Sequence, residues 1–164
     1  MSAITDEELA AVQRASEAAG EYLSIGLGDE EYGIEILRIQ EIFGYRQPTK
    51  IVGAPNYVCG VLNLRGIIVP IIDLRVRLDL EPRFDDLTVT VVLNIGGKTI
   101  GVIVDSVSDV LTFAADAIKP APGFPNANGA KFITGLGTFR SDEQERMLIL
   151  LDIEQALGGA GLSS

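Results

Sequence analysis

The sequence predicts a mainly β protein built from two small β modules that pack on each other, and three observations support this. Short apolar segments recur along the chain with glycine, proline or Asp-Asp turns between them, which is typical of β-sandwiches and barrels. Little helical pattern lies between these segments, which disfavours a parallel α/β sheet. The two halves of the sequence also resemble each other, block by block and in the same order.

The first half is predicted to contain four strands and one ambiguous segment. Residues 22–27 alternate apolar with small or polar side chains up to a Gly-Asp turn, and residues 32–36 continue the pattern after it. Residues 37–43 mix the two periodicities and fit either a strand or a short helix. After a loop rich in proline and glycine, two further strands are expected at 58–64 and 67–74.

The second half repeats this texture. Residues 87–95 are rich in Val and Thr, and a Gly-Gly hairpin turn leads from them into residues 98–104, with residues 107–113 continuing the pattern. A loop is expected at 120–129, the last strands at 133–138 and 147–153, and a short helix from Glu154 to a Gly-Gly stop.

One folded domain with short terminal extensions is expected. A helical extension is predicted for residues 1–20, where a Thr-x-x-Glu capping box precedes an alanine-rich segment. Residues 21–158 form the domain, with repeat halves at about 21–84 and 85–158, and the sequence leaves open whether strands are exchanged between the two modules. Residues 159–164 are expected to be a flexible tail.

The internal repeat rests on glycine, proline and aspartate residues at corresponding places. The matched positions are Gly33 with Gly101, Gly60 with Gly135, Asp73 with Asp152, and residues 51–55 with 118–122. Modules of this size have marginal cores on their own, so we expect them to pack together and to leave a binding groove along their seam.

The composition excludes several classes of function. A formal net charge of −10 disfavours nucleic acid and anionic lipid as ligands. The absence of histidine removes Ser-His-Asp and Cys-His catalysis and histidine-based zinc sites, and we expect no metal and no cofactor. The single cysteine, Cys59, excludes an internal disulfide, fits a cytosolic protein and is expected to be a small buried side chain. No apolar run approaches the roughly 20 residues of a membrane helix, and the acidic N-terminus is unlike a secretory signal.

One charged residue, Arg65, stands between two apolar runs. It can simply extend its head group into water. However, Asn63 and Arg65 alternate in phase at a predicted strand end, which would direct both to one face. A guanidinium at an apolar rim can bind a carboxylate, either Glu41 or Glu35 of the same chain or one on a partner protein.

The carboxylates give weaker signals. Asp73 and Asp152 each follow an apolar run and are expected to bond to nearby backbone at strand ends rather than to form a catalytic pair. Asp105, Asp109 and Asp116 recur without the spacing of a calcium loop.

Six blocks occur in this order along the chain: YGIEILRIQEIFGYRQPTKI, GVLNLRGIIVPIIDLR, GVIVDSVSDVL, IKPAP, FITGLG and RMLILLDI. Together they cover roughly residues 20–157, and the sequence resembles the CheW-type chemotaxis coupling proteins. The resemblance implies two packed, five-stranded SH3-like β-barrels. It also implies a non-catalytic adaptor in the cytoplasm that joins the regulatory domain of the histidine kinase CheA to the cytoplasmic tip of methyl-accepting chemoreceptors in membrane-associated arrays. Because the sequence ends at Ser164, we expect no receiver domain.

The same resemblance implies site residues. The family's signature arginine corresponds to Arg65 and its signature glutamate to Glu41, and the resemblance implies that the two pair. The residues implied for receptor binding are Arg65, Glu41, Asn63, Ile39 and Val110, and those implied for kinase binding are Val89 and Val107.

Two other classes of function stay open at this point. A carrier or structural β-barrel would hold a small ligand in an enclosed apolar pocket at the seam. An enzyme built on Asp73 and Asp152 would need those carboxylates within about 5–10 Å of each other in a cleft.

Overall fold

The computed structural model describes residues 20–120 and 132–158, and it forms eleven strands and two short α-helices within them. The strands are β1 (Glu21–Leu27), β2 (Glu30–Glu35), β3 (Ile39–Gly44), β4 (Val58–Leu64), β5 (Ile67–Asp73), β6 (Val89–Ile95), β7 (Lys98–Val104), β8 (Ser106–Thr112), β9 (Ile118–Lys119), β10 (Ile133–Ser141) and β11 (Gln144–Leu151). The helices are α1 (Leu74–Arg77) and α2 (Ile153–Gly158), and 3-10 turns lie at Ile36–Arg38 and Ala115–Ala117. The predicted helical extension, most of the 120–129 loop and the 159–164 tail lie outside the described residues.

The strands form two sheets, which interleave the two halves of the chain. Sheet 1 has the order β8-β1-β2-β11-β10-β9, and sheet 2 has the order β3-β6-β7-β5-β4. Each sheet therefore takes one hairpin from one half and its remaining strands from the other. The two halves are joined by parallel pairs, β2 with β11 and β5 with β7, whereas all other pairs are antiparallel.

Successive side chains of a strand point to opposite faces of its sheet, so alternate residues enter two different cores, one between the sheets and one inside each sheet. Along β6, Val91 and Leu93 enter a core shared by the two sheets, whereas Val92 enters the interior of sheet 2. The shared core takes apolar residues from strands of both sheets and from both α-helices, so it holds the two sheets together. The space between the modules is therefore filled, and the expected seam can offer a binding surface only along its rim.

Each sheet also curls around a core of its own. In sheet 2 the interior cluster includes residues of all five strands, among them Phe43 on the edge strand β3 and Leu62 on the opposite edge strand β4. The interior cluster of sheet 1 gathers Tyr22, Phe113, Leu148 and Leu150 in the same way. The mainly β fold with two packed barrel-like modules is thus confirmed. Sheet 1 differs from the expected five strands by the two-residue strand β9.

The strand prediction agrees with the structure to within a few residues, with two omissions and one resolved ambiguity. Residues 37–43 divide into a 3-10 turn and β3. Helix α1 was missed because the prediction continued a strand through Leu74, where the Asp73 carboxylate instead accepts a hydrogen bond from the N–H of Arg75 and starts a helix. Strand β9 was missed because it contains only two residues.

The repeat has a physical basis at its matched glycines. A Cβ on Gly33 would lie 2.8 Å from Leu148 of β11, and one on Gly101 would lie 2.5 Å from Ile71 of β5, so both glycines allow the same close approach between halves. A Cβ on Gly60 would meet the carbonyl oxygen of Thr49, and one on Gly135 would meet that of Lys119.

These contacts correct one of the expected matches. They pair Thr49 with Lys119, an offset of 70 (119 − 49), rather than the offset of 67 at which residues 51–55 were set beside 118–122. The backbone agrees, because Thr49 bridges to Val61 of β4 and Lys119 pairs with Leu136 of β10.

Candidate functional site

Arg65 lies in the turn between β4 and β5 rather than at a strand end. It is the first of two turn residues with left-handed backbone, with φ of 53° for Arg65 and 87° for Gly66, as in the two-residue turns that suit β-hairpins. The side chain of Asn63 accepts a hydrogen bond of 2.9 Å from the N–H of Gly66 and so stabilises the turn. The expectation that Asn63 and Arg65 share a strand face is therefore wrong, since strand alternation stops at Leu64.

The head group of Arg65 is exposed and paired. Its side chain is 76 % exposed, and Nη2 donates a hydrogen bond to Oε2 of Glu41, which is 30 % exposed. This hydrogen bond and the charge of Glu41 raise the pKa of Arg65. Of the two in-chain partners considered from the sequence, Glu41 is the one that the structure pairs with it.

The ion pair spans the opening of sheet 2. Glu41 lies opposite Val92, whose side chain enters the interior of that sheet, so Glu41 faces the same side at the end of the barrel. Strands β3 and β4 are the two edges of sheet 2. The pair between Glu41 on β3 and Arg65 after β4 therefore connects the two edges where the sheet curls on itself.

Ile39 and Val110 lie at the rim of the junction between the sheets. Ile39 is on β3 opposite Leu93, and Val110 is on β8 opposite Leu23. Both partners belong to the shared core, whereas Ile39 is half-buried and Val110 is exposed. The structure thus places these two expected receptor contacts on edge strands of different sheets, each beside the shared core.

Val89 and Val107 are both half-buried against the shared core. Val89 begins β6 and pairs with Val104 at the end of β7. Val107 lies three residues after Val104 and pairs with Ile25 of β1. The two expected kinase contacts therefore lie where the chain crosses from sheet 2 to sheet 1.

A buried ionic network at this crossing was missed by the sequence reasoning. Arg75 is 0 % exposed, and its guanidinium binds Asp73 through two hydrogen bonds of 2.8 and 2.9 Å. It also donates a 2.9 Å bond to Asp105, which joins β7 to β8, and a further bond to the carbonyl of Arg83. Burial alone would lower the pKa of Arg75, but the bonds to Asp73 and Asp105 outweigh it and raise the pKa.

The network joins the two sheets. The second oxygen of Asp105 accepts a 2.8 Å hydrogen bond from the N–H of Gly28 in the β1–β2 turn, and the N–H of Asp105 donates to the carbonyl of Gly26. Arg75 follows β5 of sheet 2, whereas Gly28 connects two strands of sheet 1. The only sequence signal for this network was the Asp-x-Arg spacing directly after an apolar strand. This spacing allows the aspartate and the arginine to form an ion pair.

The other crossing carries an ion pair of reversed polarity. Arg38, between β2 and β3, binds Glu154 of α2 at 2.7 Å. Glu154 occupies the place in its half that Arg75 occupies in the other, since each follows its matched aspartate by two residues. Here the helix residue is the acid and the crossing residue is the base, and the pair is partly exposed rather than buried.

The matched aspartates act as helix caps. Asp73 accepts from the N–H of Arg75 at 3.0 Å, and Asp152 accepts from the N–H of Gln155 at 3.1 Å. Asp73 ends a strand of sheet 2, and Asp152 follows a strand of sheet 1. This arrangement gives no support to a catalytic pair.

An open pocket of about 330 Å³ lies at the end of sheet 2 where β4 begins, and the Arg75 guanidinium lies 4.6 Å over the ring of Phe84 in its wall. Tyr45 and Phe84 line it, with their rings 4.8 Å apart, and Cys59 contributes to its wall. Burial, and then the charge of Asp73, raise the pKa of the Cys59 thiol to about 11. A carrier protein would need an enclosed apolar pocket at the seam, whereas this pocket is open.

Comparison with known proteins decides the family. A family model described as the CheW-like domain matches residues 21–160. The chain belongs to this family. It is 50 % identical over 145 residues to the chemotaxis protein CheW of Klebsiella aerogenes, covering 87 % of this chain and 85 % of the relative. It is 34 % identical over 130 residues to the chemotaxis protein CheW of Bacillus subtilis, covering 78 % and 80 %. The crystal structure of the scaffolding protein TtCheW from Thermoanaerobacter tengcongensis matches with a TM-score of 0.71 at 29 % identity, over 81 % of this chain and 88 % of that one.

The comparisons confirm the resemblance to CheW-type proteins and support an adaptor function in chemotaxis. They do not favour the alternative of a ligand-binding or structural barrel. Within residues 20–120 and 132–158, no helix has the length and apolar character that crossing a membrane requires.

Proposed function

We propose that this protein is a non-catalytic adaptor that joins the histidine kinase CheA to the cytoplasmic tips of chemoreceptors, and that Arg65 lies at its receptor-binding surface. The observation that carries the proposal is the exposed Arg65–Glu41 pair at the tip of the β4–β5 hairpin. An exposed pair adds little to stability, so its value to the protein is better sought in recognition.

The surroundings of Arg65 suit a protein partner. Ile67 and Ile68, directly after the turn, are 58 % and 60 % exposed and place apolar surface beside the guanidinium. Glu41 holds the head group in one orientation, which reduces the entropy lost when a partner binds. Apolar contact next to an oriented arginine is a frequent composition of protein interfaces.

The kinase-binding surface would lie near Val89 and Val107, where the chain crosses between the sheets. These residues pack on the shared core, next to Val104 and the buried network at Asp105. A partner that shifts one sheet relative to the other would act on this crossing. Any such coupling must be reciprocal, so receptor binding would change kinase affinity by the same factor that kinase binding changes receptor affinity.

This role requires surfaces rather than reactive groups. The matched aspartates serve as helix caps, and the burial of Cys59 suppresses its thiolate. We place the adaptor in the cytoplasm, at membrane receptor arrays through its partners.

The proposal is tested by measuring the two binding events separately. Immobilised receptor signalling fragment and the isolated CheA regulatory domain are each titrated with wild-type protein, Arg65→Glu and the control Arg140→Glu. Arg140 is an exposed arginine on β10 of sheet 1, so the control makes the same charge change elsewhere. We expect Arg65→Glu to weaken receptor binding at least about tenfold, to leave kinase binding unchanged, and Arg140→Glu to alter neither. Equal receptor binding by all three proteins would refute the placement of Arg65.

A further inference from the structure

Helices α1 and α2 contact each other through Arg77. Leu74 of α1 and Leu157 of α2 are both buried in the shared core, so each helix packs between the sheets. Nε of Arg77, the last residue of α1, donates a 2.7 Å hydrogen bond to the carbonyl oxygen of Ala156 in α2. Because the last carbonyls of a helix have no donor within it, the arginine of one helix caps the end of the other.

The guanidinium of Arg77 also contacts one aromatic ring from each half of the chain. Its Cζ atom lies 4.9 Å from the ring centre of Tyr57, just before β4, and 4.7 Å from that of Phe132, just before β10. The carbonyl oxygens of these two aromatic residues accept equivalent hydrogen bonds of 2.8 and 2.6 Å from the N–H groups of Asp73 and Asp152. One cation therefore binds matching rings of the two halves.

These contacts join positions that correspond in the internal repeat. Arg77 and Ala156 are 79 residues apart (156 − 77), as are the matched aspartates that cap the two helices. The two rings are 75 residues apart (132 − 57), as are the matched glycines of β4 and β10. Corresponding residues that contact each other lie where the two halves meet, as on a two-fold axis. Alanine at the second position avoids placing two like charges together there.

The two helices also bind the two places where the chain crosses between the sheets. Arg75 of α1 binds Asp105, between β7 and β8, at 2.9 Å. Glu154 of α2 binds Arg38, between β2 and β3, at 2.7 Å. Because Arg77 joins the helices, polar contacts connect one crossing with the other through α1 and α2. We call this set of contacts the helix clasp, and its members are Asp105, Arg75, Arg77, Ala156, Glu154 and Arg38.

We propose that the helix clasp couples the receptor surface to the kinase surface, with Arg77 as its positioning residue; the inference rests on the proposed function. Ile39 of the receptor surface directly follows Arg38, and Val107 of the kinase surface lies two residues after Asp105. A partner that displaces Ile39 acts on Arg38 and, through its ion pair, on α2. Arg77 passes this displacement to α1, which holds the crossing beside the kinase surface.

The clasp suits this role better than the apolar core does. Apolar packing is not directional, so packed layers can slide by small amounts, whereas a hydrogen bond fixes a donor to one acceptor. The Arg75 end of the clasp is buried, but the side chains of Arg38 and Glu154 are 30 % and 52 % exposed. We therefore expect the exposed pair to be the end that yields. A second route runs through sheet 2, where β3 pairs directly with β6, but it involves neither helix.

The first test uses the protein without partners. Glu154→Gln weakens the ion pair with Arg38, and the amide chemical shifts of the ¹⁵N-labelled protein report where this change is felt. We expect the amide of Gly28, which belongs to the network at the other crossing, to shift at least about threefold more than in the control Glu143→Gln. Glu143 is an exposed acid in the β10–β11 turn. In the Arg77→Met background, Glu154→Gln should no longer shift the Gly28 amide.

The second test measures the coupling itself. Receptor signalling fragment is titrated into the protein by calorimetry, with and without saturating CheA regulatory domain, and the ratio of the two dissociation constants is the coupling factor. We expect a factor of at least about five for the wild type and below about two for Arg77→Met, with the affinity for each partner alone unchanged.

Two variants separate positioning from a purely structural role. Arg77→Lys keeps a cation beside the two rings and should retain most of the coupling. Leu148→Val removes a buried methylene group from the interior of sheet 1 and lowers stability without touching the clasp, so it should retain the full coupling factor.

Several results would overturn the inference. No shift of Gly28 in Glu154→Gln, or the same shift with and without Arg77, would show that the clasp does not connect the crossings. Wild-type coupling in Arg77→Met would assign the transmission to sheet 2, and an equal loss in Leu148→Val would reduce Arg77 to a structural role. Failure to bind either partner would instead overturn the proposed function, and the first test, which needs no partner, distinguishes the two failures.

Discussion

The buried network around Arg75 should be the most sensitive ionic site in the molecule. Replacing Arg75 by Met keeps most of the side-chain volume but removes the guanidinium and its bonds to Asp73, Asp105 and the Arg83 carbonyl. Asp73 is 3 % exposed and would be left as a buried charge without a cation. Removing one partner of a buried ion pair typically costs about 3–5 kcal/mol of unfolding free energy.

The loss of unfolding free energy in Arg75→Met should come mainly from the Asp73 carboxylate, which stays buried without a cation, rather than from the lost attraction between the two charges. Asp73→Asn in the Arg75→Met background removes that charge and keeps an oxygen for the helix cap of α1. It should therefore recover about 1–3 kcal/mol of the loss. Asp73→Asn alone should be destabilising, so the two substitutions should be strongly non-additive.

Urea unfolding followed by circular dichroism measures these free energies. With a slope of about 2 kcal/mol per molar urea, Arg75→Met should lower the midpoint by about 1.5–2.5 M. The matched control is Arg38→Met at the other crossing, where the partly exposed pair with Glu154 should contribute only about 0–1 kcal/mol. Equal effects of Arg75→Met and Arg38→Met, or additive effects of Arg75→Met and Asp73→Asn, would show that no unpaired buried carboxylate limits stability at this site.

Three further predictions concern single residues. Gly60→Ala should lower the free energy of unfolding by about 2–4 kcal/mol, because the φ of Gly60 is 142° and a Cβ would lie 1.9 Å from the Thr49 carbonyl oxygen. The control Gly44→Ala, which has open space around it, should be near neutral, and equal unfolding midpoints of the two variants would contradict this prediction. The Cys59 thiol should react with a disulfide reagent about 100-fold more slowly at pH 8 than an ordinary thiol, because its folded pKa of about 11 is raised above the ordinary 9. The contribution of this thiol to stability is therefore complete below pH 9 and is lost as the pH rises through 11. Rapid labelling of the native protein at pH 8 would exclude this pKa. Glu41→Ala should leave the urea midpoint nearly unchanged but weaken receptor binding by freeing the Arg65 side chain, and a large stability loss would instead assign the pair a structural role.

The strands and hairpins could be predicted from the sequence because their signals are local. Strands 58–64 and 98–104 are predicted to the residue, and a glycine turn marks one end of each, at Gly66 after the first strand and at Gly97 before the second. Helix α1 was hidden because a single turn of helix after Asp73 leaves no periodicity. The domain limits, including the extension and the tail, stay a prediction.

Long-range relations could not be predicted in the same way. The parallel pairing of β2 with β11 and of β5 with β7 carries no signal in neighbouring residues, so the interleaving of the halves could only be left open. Arg75 and Asp105 are separated by 30 residues, and neither residue alone indicates a buried partner. The resemblance pointed to Glu41 for Arg65, but chemistry alone left Glu35 equally open, because only the fold determines which carboxylate faces the turn.

The most direct test of the adaptor role is receptor-dependent control of CheA autophosphorylation in a reconstituted system of receptor signalling fragments, kinase and this protein. We expect this control to require the chain, to be lost in Arg65→Glu although that variant stays folded, and to be retained in Arg140→Glu. Control that persists without the chain, or that is unaffected by Arg65→Glu, would contradict the adaptor role.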